Sequence, residues 1–300
     1  MSKPIHLKRV SERFIMELSL KPEYNSPLHI GAGSDGTNKV LLRLQVNGRG
    51  LPIIPSESLK GVLRSLTSSL SKQIPSDNLA LKYHLKDSHI KRKEVKEDEQ
   101  QRMISLYLEK AKEYLKNIMP QDVVEEMEAN DKLQLLEYYF ALNCPVCKLF
   151  GAQGIAGKLT FTDGIPNIPP KLITYTSTSI NRKSRTVEEG RLFGLTAVKP
   201  DDELRYKIRI IADNVFKGSE EARLLSLLLR WILRFGLQVG GLKSRGYGRL
   251  VIDDESIVKM LKLKEEIHSE EFLLHNVRVL LLKDGYFQTM KIDVFTKWLE

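Results

Sequence analysis

Cysteine is nearly absent from this chain of 300 residues: there are two, Cys144 and Cys147, in the stretch C-P-V-C. A disulfide framework is therefore excluded as the source of stability, and in a reducing compartment the pair reads as redox-active, metal-binding or inert. Long apolar runs are also lacking, and none reaches the ~20 residues needed to span a bilayer. The first residues, MSKPIHLKRVSERF, have no apolar middle of the signal-peptide kind, so a cytoplasmic location without a membrane partner is expected. No internal repeat is present. Acidic residues are in deficit, 38 against 47 Lys and Arg, which leaves a formal charge of +9. That excess favours a polyanionic partner such as nucleic acid, or else is a solvated basic surface.

What is there is an ordinary globular composition, 42% hydrophobic and 28% charged, and long enough for one large domain or two small ones. Residues 14–21, FIMELSLK, alternate as a strand does. SPLHIGAGSDGTNK reads as a glycine-punctuated loop and VLLRLQV as a second strand closed by the turn NGRG; LPIIP is a short extended piece. Ser56 then has the chemistry of a helix N-cap, with Leu59, Val62, Leu63 and Leu66 on one face behind it. Residues 72–143 are highly charged and then helical, and read as an insertion because strand-like segments resume with GKLTFTDGIP. A long hairpin-like arm, the strand LRYKIRIIAD, a helix from about Glu220 to Leu237 and the strand RLVIDD follow. This alternation predicts an α+β fold, a ferredoxin-like antiparallel sheet carrying large insertions. The tail from Asp253 has no assignable place.

Two segments carry nucleic-acid chemistry. GGLKSRGYGRL, from Gly240 to Leu250, offers backbone amides for an anion nest, Lys243, Arg245 and Arg249 for phosphate, and Tyr247 as a stacking face. It reads equally as a glycine-rich turn with incidental charge. In IPSESLKGVLR, Lys60 and Arg64 lie four apart near a helix N-terminus that attracts phosphate, or else form an exposed basic face.

The order of LHIGAG, LPIIPSESLKGVLRS, CPVCKLFGA, TSTSINRKSRTVEEGRLFGLTAV and VGGLKSRGYGRLVI resembles that of the RAMP superfamily of CRISPR proteins. Among them it is most similar to the backbone subunits of type III (Csm/Cmr-like) interference complexes. The resemblance implies a single RAMP domain over residues 1–300, with an RRM-like sheet, a helical lid at 72–143, a thumb hairpin at 172–198 and a C-terminal extension at 253–300. It implies crRNA and complementary target RNA as ligands, and other effector subunits, further copies of the chain included, as partners.

Carried over by residue, the resemblance assigns Lys60 and Arg64 to guide phosphates, with Ser56 and Ser58 beside them. Gly240, Gly241, Lys243, Ser244 and Arg245 form the glycine-rich loop against the same RNA backbone. Ile180, Asn181 and Arg182 open the thumb, with Lys183 and Arg185 facing nucleic acid; Asn181 stands where the family usually has an acidic residue. Target-cleaving members carry an aspartate in the loop after LHIG, and Asp35 occupies that loop, as a ligand for Mg or Mn in phosphodiester cleavage or as a residue making a turn hydrogen bond. Some relatives hold zinc where Cys144 and Cys147 stand, and His84 and His89 are the candidates to complete such a site. Two alternatives remain: a stand-alone guide-precursor endoribonuclease using His29 as acid–base, with a structural histidine as the competing reading, and a non-catalytic terminal or capping subunit.

Overall fold

A computed structural model describes residues 10–35, 38–46, 48–73, 78–82, 97–180, 187–262 and 287–300. Its organising element is β1 (Glu12–Pro22), whose alternating pattern buries Phe14, Met16, Leu18 and Leu20. The glycine-punctuated segment that follows is not all loop. It forms β2 (Gly31–Asp35), which turns back on β3 (Asn38–Leu41). VLLRLQV is likewise not one strand. The Leu42 amide donates to the Ile30 carbonyl at 2.7 Å, which detaches β3 from β4 (Arg43–Val46), and β4 pairs instead with β5 (Arg49–Pro52).

Helix α1 (Ser56–Ser71) starts one residue away from the sequence expectation. Pro55 is the cap residue and Ser56 the first helical one, because the carboxylate of Asp163 reaches in from elsewhere and accepts from the Ser56 amide at 2.7 Å. Leu59, Leu63, Thr67 and Leu70 form its buried stripe, while Val62 and Leu66 are only half-buried. Within the region read as an insertion lie α2 (Leu79–Lys82), α3 (Glu97–Lys116), α4 (Gln121–Asn130) and α5 (Lys132–Asn143), followed by α6 (Pro145–Phe150) over the C-P-V-C stretch.

GKLTFTDGIP supplies two short strands, β6 (Leu159–Phe161) and β7 (Ile165–Pro166). The arm forms an antiparallel pair, β8 (Leu172–Ile180) with β9 (Val187–Val198), and β9 also pairs with β3 to give the order β2-β3-β9-β8. Then come β10 (Tyr206–Asp213) and α7 (Glu220–Phe235). Ser219 caps α7, its hydroxyl accepting from the Ala222 amide, and left-handed Gly236 ends the helix before β11 (Leu237–Gln238) and β12 (Arg249–Ile252).

The tail completes the main sheet. β13 (Ile257–Lys262) pairs with β1 from Glu12 to Glu17, and β14 (Gln288–Lys291) pairs with β13. The last helix, α8 (Ile292–Leu299), sets Phe295 5.0 Å from Phe14, centroid to centroid, and Trp298 against both rings. Burying a side chain the size of Phe295 contributes about 1.5–3 kcal/mol, so these residues belong to the core. The main path through the sheet is β11-β12-β1-β10-β6, antiparallel throughout, with α1 and α7 packed against each other over the buried residues of β1. No described helix is long and apolar enough to cross a membrane.

Candidate nucleic-acid interface

Three segments meet where β1 ends and β10 begins. The segment after β1 is clamped from two sides. Leu28 exchanges backbone hydrogen bonds with Val198 of β9, while the Gly248 amide donates to the Pro27 carbonyl and the Gly241 amide to the His29 carbonyl, both at 2.9 Å. The Ser26 hydroxyl joins the same seam, donating to the Gly246 carbonyl at 2.7 Å and accepting from the Arg249 amide at 2.8 Å. The start of α1 is fixed at this end of the sheet by Asp163, just ahead of β7, which pairs with the first residues of β10.

This geometry explains the glycines. Gly240 has φ +80° and a side-chain carbon there would run into the His29 carbonyl; Gly248 has φ +77° and would strike the Val239 carbonyl. Both are demanded by the chain's own packing. What they project is a short 3₁₀ turn, Lys243–Arg245, entered through left-handed Leu242 and left through Gly246, with Lys243, Ser244 and Arg245 exposed. The Gln238 amide holds the turn from beneath, donating to the carbonyls of Lys243 at 2.9 Å and Tyr247 at 3.0 Å. Tyr247 is half-buried, its ring edge-on to Tyr175 of β8 at 6.0 Å. Burial, then Tyr175, raise its phenol above the ordinary value against a lowering by Arg245, which keeps it neutral. Arg249 pairs with Glu23 at 2.7 Å.

On α1, Ser58 and Lys60 are half-buried near the N-terminus. Arg64 turns inward: it donates to the Gly151 carbonyl at 2.5 Å and to the Cys147 sulfur at 3.8 Å, and its Nε is buried without a hydrogen bond. Sequence spacing put Lys60 and Arg64 on one face, but it gave no sign that a glycine-ended turn from residues 144–151 would close over the second of them.

Cys144 and Cys147 are both buried thiols. A hydrogen bond from the Cys147 side chain lowers the Cys144 thiol below its ordinary value, against burial and with help from the backbone amides of Cys147 and Val146 and the charge of Arg64. His84 and His89 lie outside the described residues, and among the described ones no three His, Cys, Asp or Glu side chains gather as metal ligands. Asp35 closes β2 opposite Asn38. Ile180 ends β8, whereas Asn181, Arg182, Lys183 and Arg185 lie outside the described residues. His29 is 3% exposed, and its Nδ1 is 2.8 Å from the Thr196 carbonyl, to which it donates.

The other face of the sheet has a different character. Arg13 pairs with Asp213 at 2.6 Å, Glu17 with Arg209 at 3.2 Å and with Lys259 at 3.3 Å, and Lys207 with Glu255 at 2.5 Å. The basic residues named there are matched by carboxylates, whereas among the described residues Lys243 and Arg245 at the strand ends have no such match.

No curated protein matches the chain. The family model described as RAMP superfamily matches residues 23–251, from the end of β1 through the glycine-rich turn to β12. The chain belongs to the RAMP superfamily, whose members are in general CRISPR-associated, RNA-binding proteins.

Proposed function

We propose that this protein is a crRNA-binding backbone subunit of a type III CRISPR interference complex, gripping guide phosphates at the strand-end surface where the Lys243–Arg245 turn projects. The observation that carries this reading is the exposed basic turn itself, held by Gln238 and by the clamp between Pro27, His29 and Gly248. Donors held in place before a ligand arrives lose little entropy on binding it. The strand order β12-β1-β10-β6 with α1 and α7 over one face supports an RRM-like, ferredoxin-like sheet. The β8–β9 pair, which Ile180 closes on one side, is suited to serve as the thumb that kinks the guide–target duplex; Asn181, Arg182, Lys183 and Arg185, which follow in sequence, are the residues proposed to meet the nucleic acid.

Ser56, Ser58 and Lys60 border the grip at the start of α1. His29 acts as a structural residue in this reading, because its ring is 3% exposed, out of easy reach of a strand of RNA, and is pinned through Nδ1 to the Thr196 carbonyl. That favours the backbone subunit over a precursor-processing nuclease. Two parts of the proposal are separable from the grip. Zinc held by Cys144, Cys147, His84 and His89 predicts one metal ion per purified chain, and a ratio near zero removes it. Mg- or Mn-dependent target cleavage at Asp35 predicts that Asp35→Ala abolishes cutting by the assembled complex, and cutting at every normal position removes it.

The grip is tested by the double variant Lys243→Ala, Arg245→Ala, titrated with guide RNA at several salt concentrations. Two lost phosphate contacts lower the slope of log affinity against log salt by about 1.4 for a single strand, with the melting temperature unchanged. An unaltered slope and affinity would falsify the assignment.

A further inference from the structure

Next to the basic turn lies an open groove of about 430 Å³ between α1 and the last turn of α7, lined by Val62, Leu66, Trp231, Phe235, Gln238 and Arg249. Its apolar walls are not spare core. The buried stripe of α7 is already complete with Ala222, Leu225, Leu229 and Ile232. Trp231 and Phe235 form a second stripe, four residues apart, and are 40% and 48% exposed. Val62 and Leu66, also four apart, present the matching stripe from α1. The two rings are 4.5 Å apart and tilted by 48°, so they do not stack flat on each other. The guanidinium of Arg234 lies 5.4 Å from the centre of Phe235.

We propose that this groove binds an unpaired nucleobase of the same RNA strand whose phosphates the Lys243–Arg245 turn holds, an inference that rests on the RNA grip described above. Aromatic rings flanked by arginine are the surface on which single-stranded bases stack, whatever their identity. Charge complementarity selects the occupant. Arg234 sits at the aromatic wall, Arg249 in the groove and Lys243 and Arg245 beyond it; Glu23, a carboxylate beside the groove, is paired with Arg249. The groove and the grip are mechanically one piece, because Gln238 in the groove is the residue that holds the turn.

The test compares two probes on the full chain: unstructured oligoadenylate of roughly 12 nucleotides, within the usual span of single-strand sites, and an abasic ribose-phosphate oligomer of equal length. The variant Trp231→Ala, Phe235→Ala is expected to lose about tenfold in affinity for oligoadenylate, the effect of one stacked base, and to bind the abasic oligomer as the native chain does. Trp231→Phe restores most of the loss. With the packed Trp298 changed to Phe, Trp231 is the remaining tryptophan, and oligoadenylate but not the abasic oligomer quenches its emission.

Equal losses on both probes, or no loss, overturn the base site. So does a drop in the mass of a native oligomer with RNA affinity intact, which would make the groove a contact between copies. If instead the native chain binds neither probe, it is the RNA grip that fails.

Discussion

Replacing Gly240 with alanine separates two explanations of the glycine-rich turn. If glycine is there to let an RNA backbone approach, alanine weakens binding and leaves the fold alone. The structure points the other way. At φ +80° an alanine costs about 1–2 kcal/mol in backbone conformation. Its side chain also meets the His29 carbonyl, and relief of that contact moves the acceptor of the Gly241 amide. Loss of that hydrogen bond adds about 0.5–1.5 kcal/mol. The sum, about 1.5–3.5 kcal/mol, corresponds to a fall in melting temperature of roughly 2–6 °C for a chain of this size. Gly241→Ala is the control: its φ is not left-handed, and a side chain there lies 3.6 Å from the His29 ring, an ordinary contact, so its melting stays within about 1–2 °C of native. Differential scanning calorimetry on the two variants, with RNA titrations run well below both melting points, measures both quantities. A Gly240→Ala chain that melts with the native protein but binds RNA more weakly would refute the packing argument.

Other perturbations follow from side chains with settled partners. Arg64→Ala removes the inward contacts to Gly151 and Cys147 and is expected to destabilise the chain by about 1.5–3 kcal/mol, as for a hydrogen bond from a charged group; RNA affinity of the folded variant stays near native, whereas a phosphate-gripping Arg64 would show the reverse pattern. Glu221 is buried between Lys158 at 2.9 Å and Lys148 at 3.7 Å. Burial raises its carboxyl, but the Lys158 hydrogen bond, its own backbone amide and the charges of both lysines bring it net below 4.5. Its stabilising contribution is therefore complete above pH 4.5 and is lost as pH falls through the lower folded value. Glu221→Gln should cost about 2 kcal/mol at pH 7, less than a fully buried pair because both lysines reach solvent, and the gap from native should close in acid. A gap constant from pH 7 to pH 3 would contradict this.

Local patterns carried over into the fold wherever the pairing partner did not matter. The alternation in residues 14–21 and 206–213 and the apolar stripe of the helix from Glu220 needed only their own periodicity. Long-range partners were not legible. VLLRLQV breaks because one amide, that of Leu42, finds Ile30. The α1 start moves because its first amide finds Asp163, 107 residues further on. The tail had no assignable place because its register depends on β1, 240 to 250 residues away, and not on any signal within it. At the site, exposure of Lys243 and Arg245 followed from their chemistry, whereas the inward turn of Arg64 depended on a neighbouring loop. Trp231 and Phe235 went unnoticed because an apolar run read as buried helix conceals residues in excess of the buried stripe.

The excess of positive charge also has to be assigned a place before it can be assigned a role. A strand of RNA laid across the open face of the sheet would compete with Glu17, Asp213 and Glu255 for Arg13, Arg209, Lys259 and Lys207. Each phosphate gained there displaces a carboxylate already in place, so the net gain is small and the released carboxylates repel the strand. At the glycine-rich turn the exchange is absent: Arg249, Lys21 and Arg205 at this end of the sheet are paired with Glu23, Asp202 and Asp253, but among the described residues no carboxylate pairs with Lys243 or Arg245. A phosphate arriving there displaces only counterions and water, which is the condition under which binding falls steeply with salt. The same sheet thus has a face that is electrostatically closed and, at its end, a turn that is open, and the turn stands there because β12 has to re-enter the sheet beside β1.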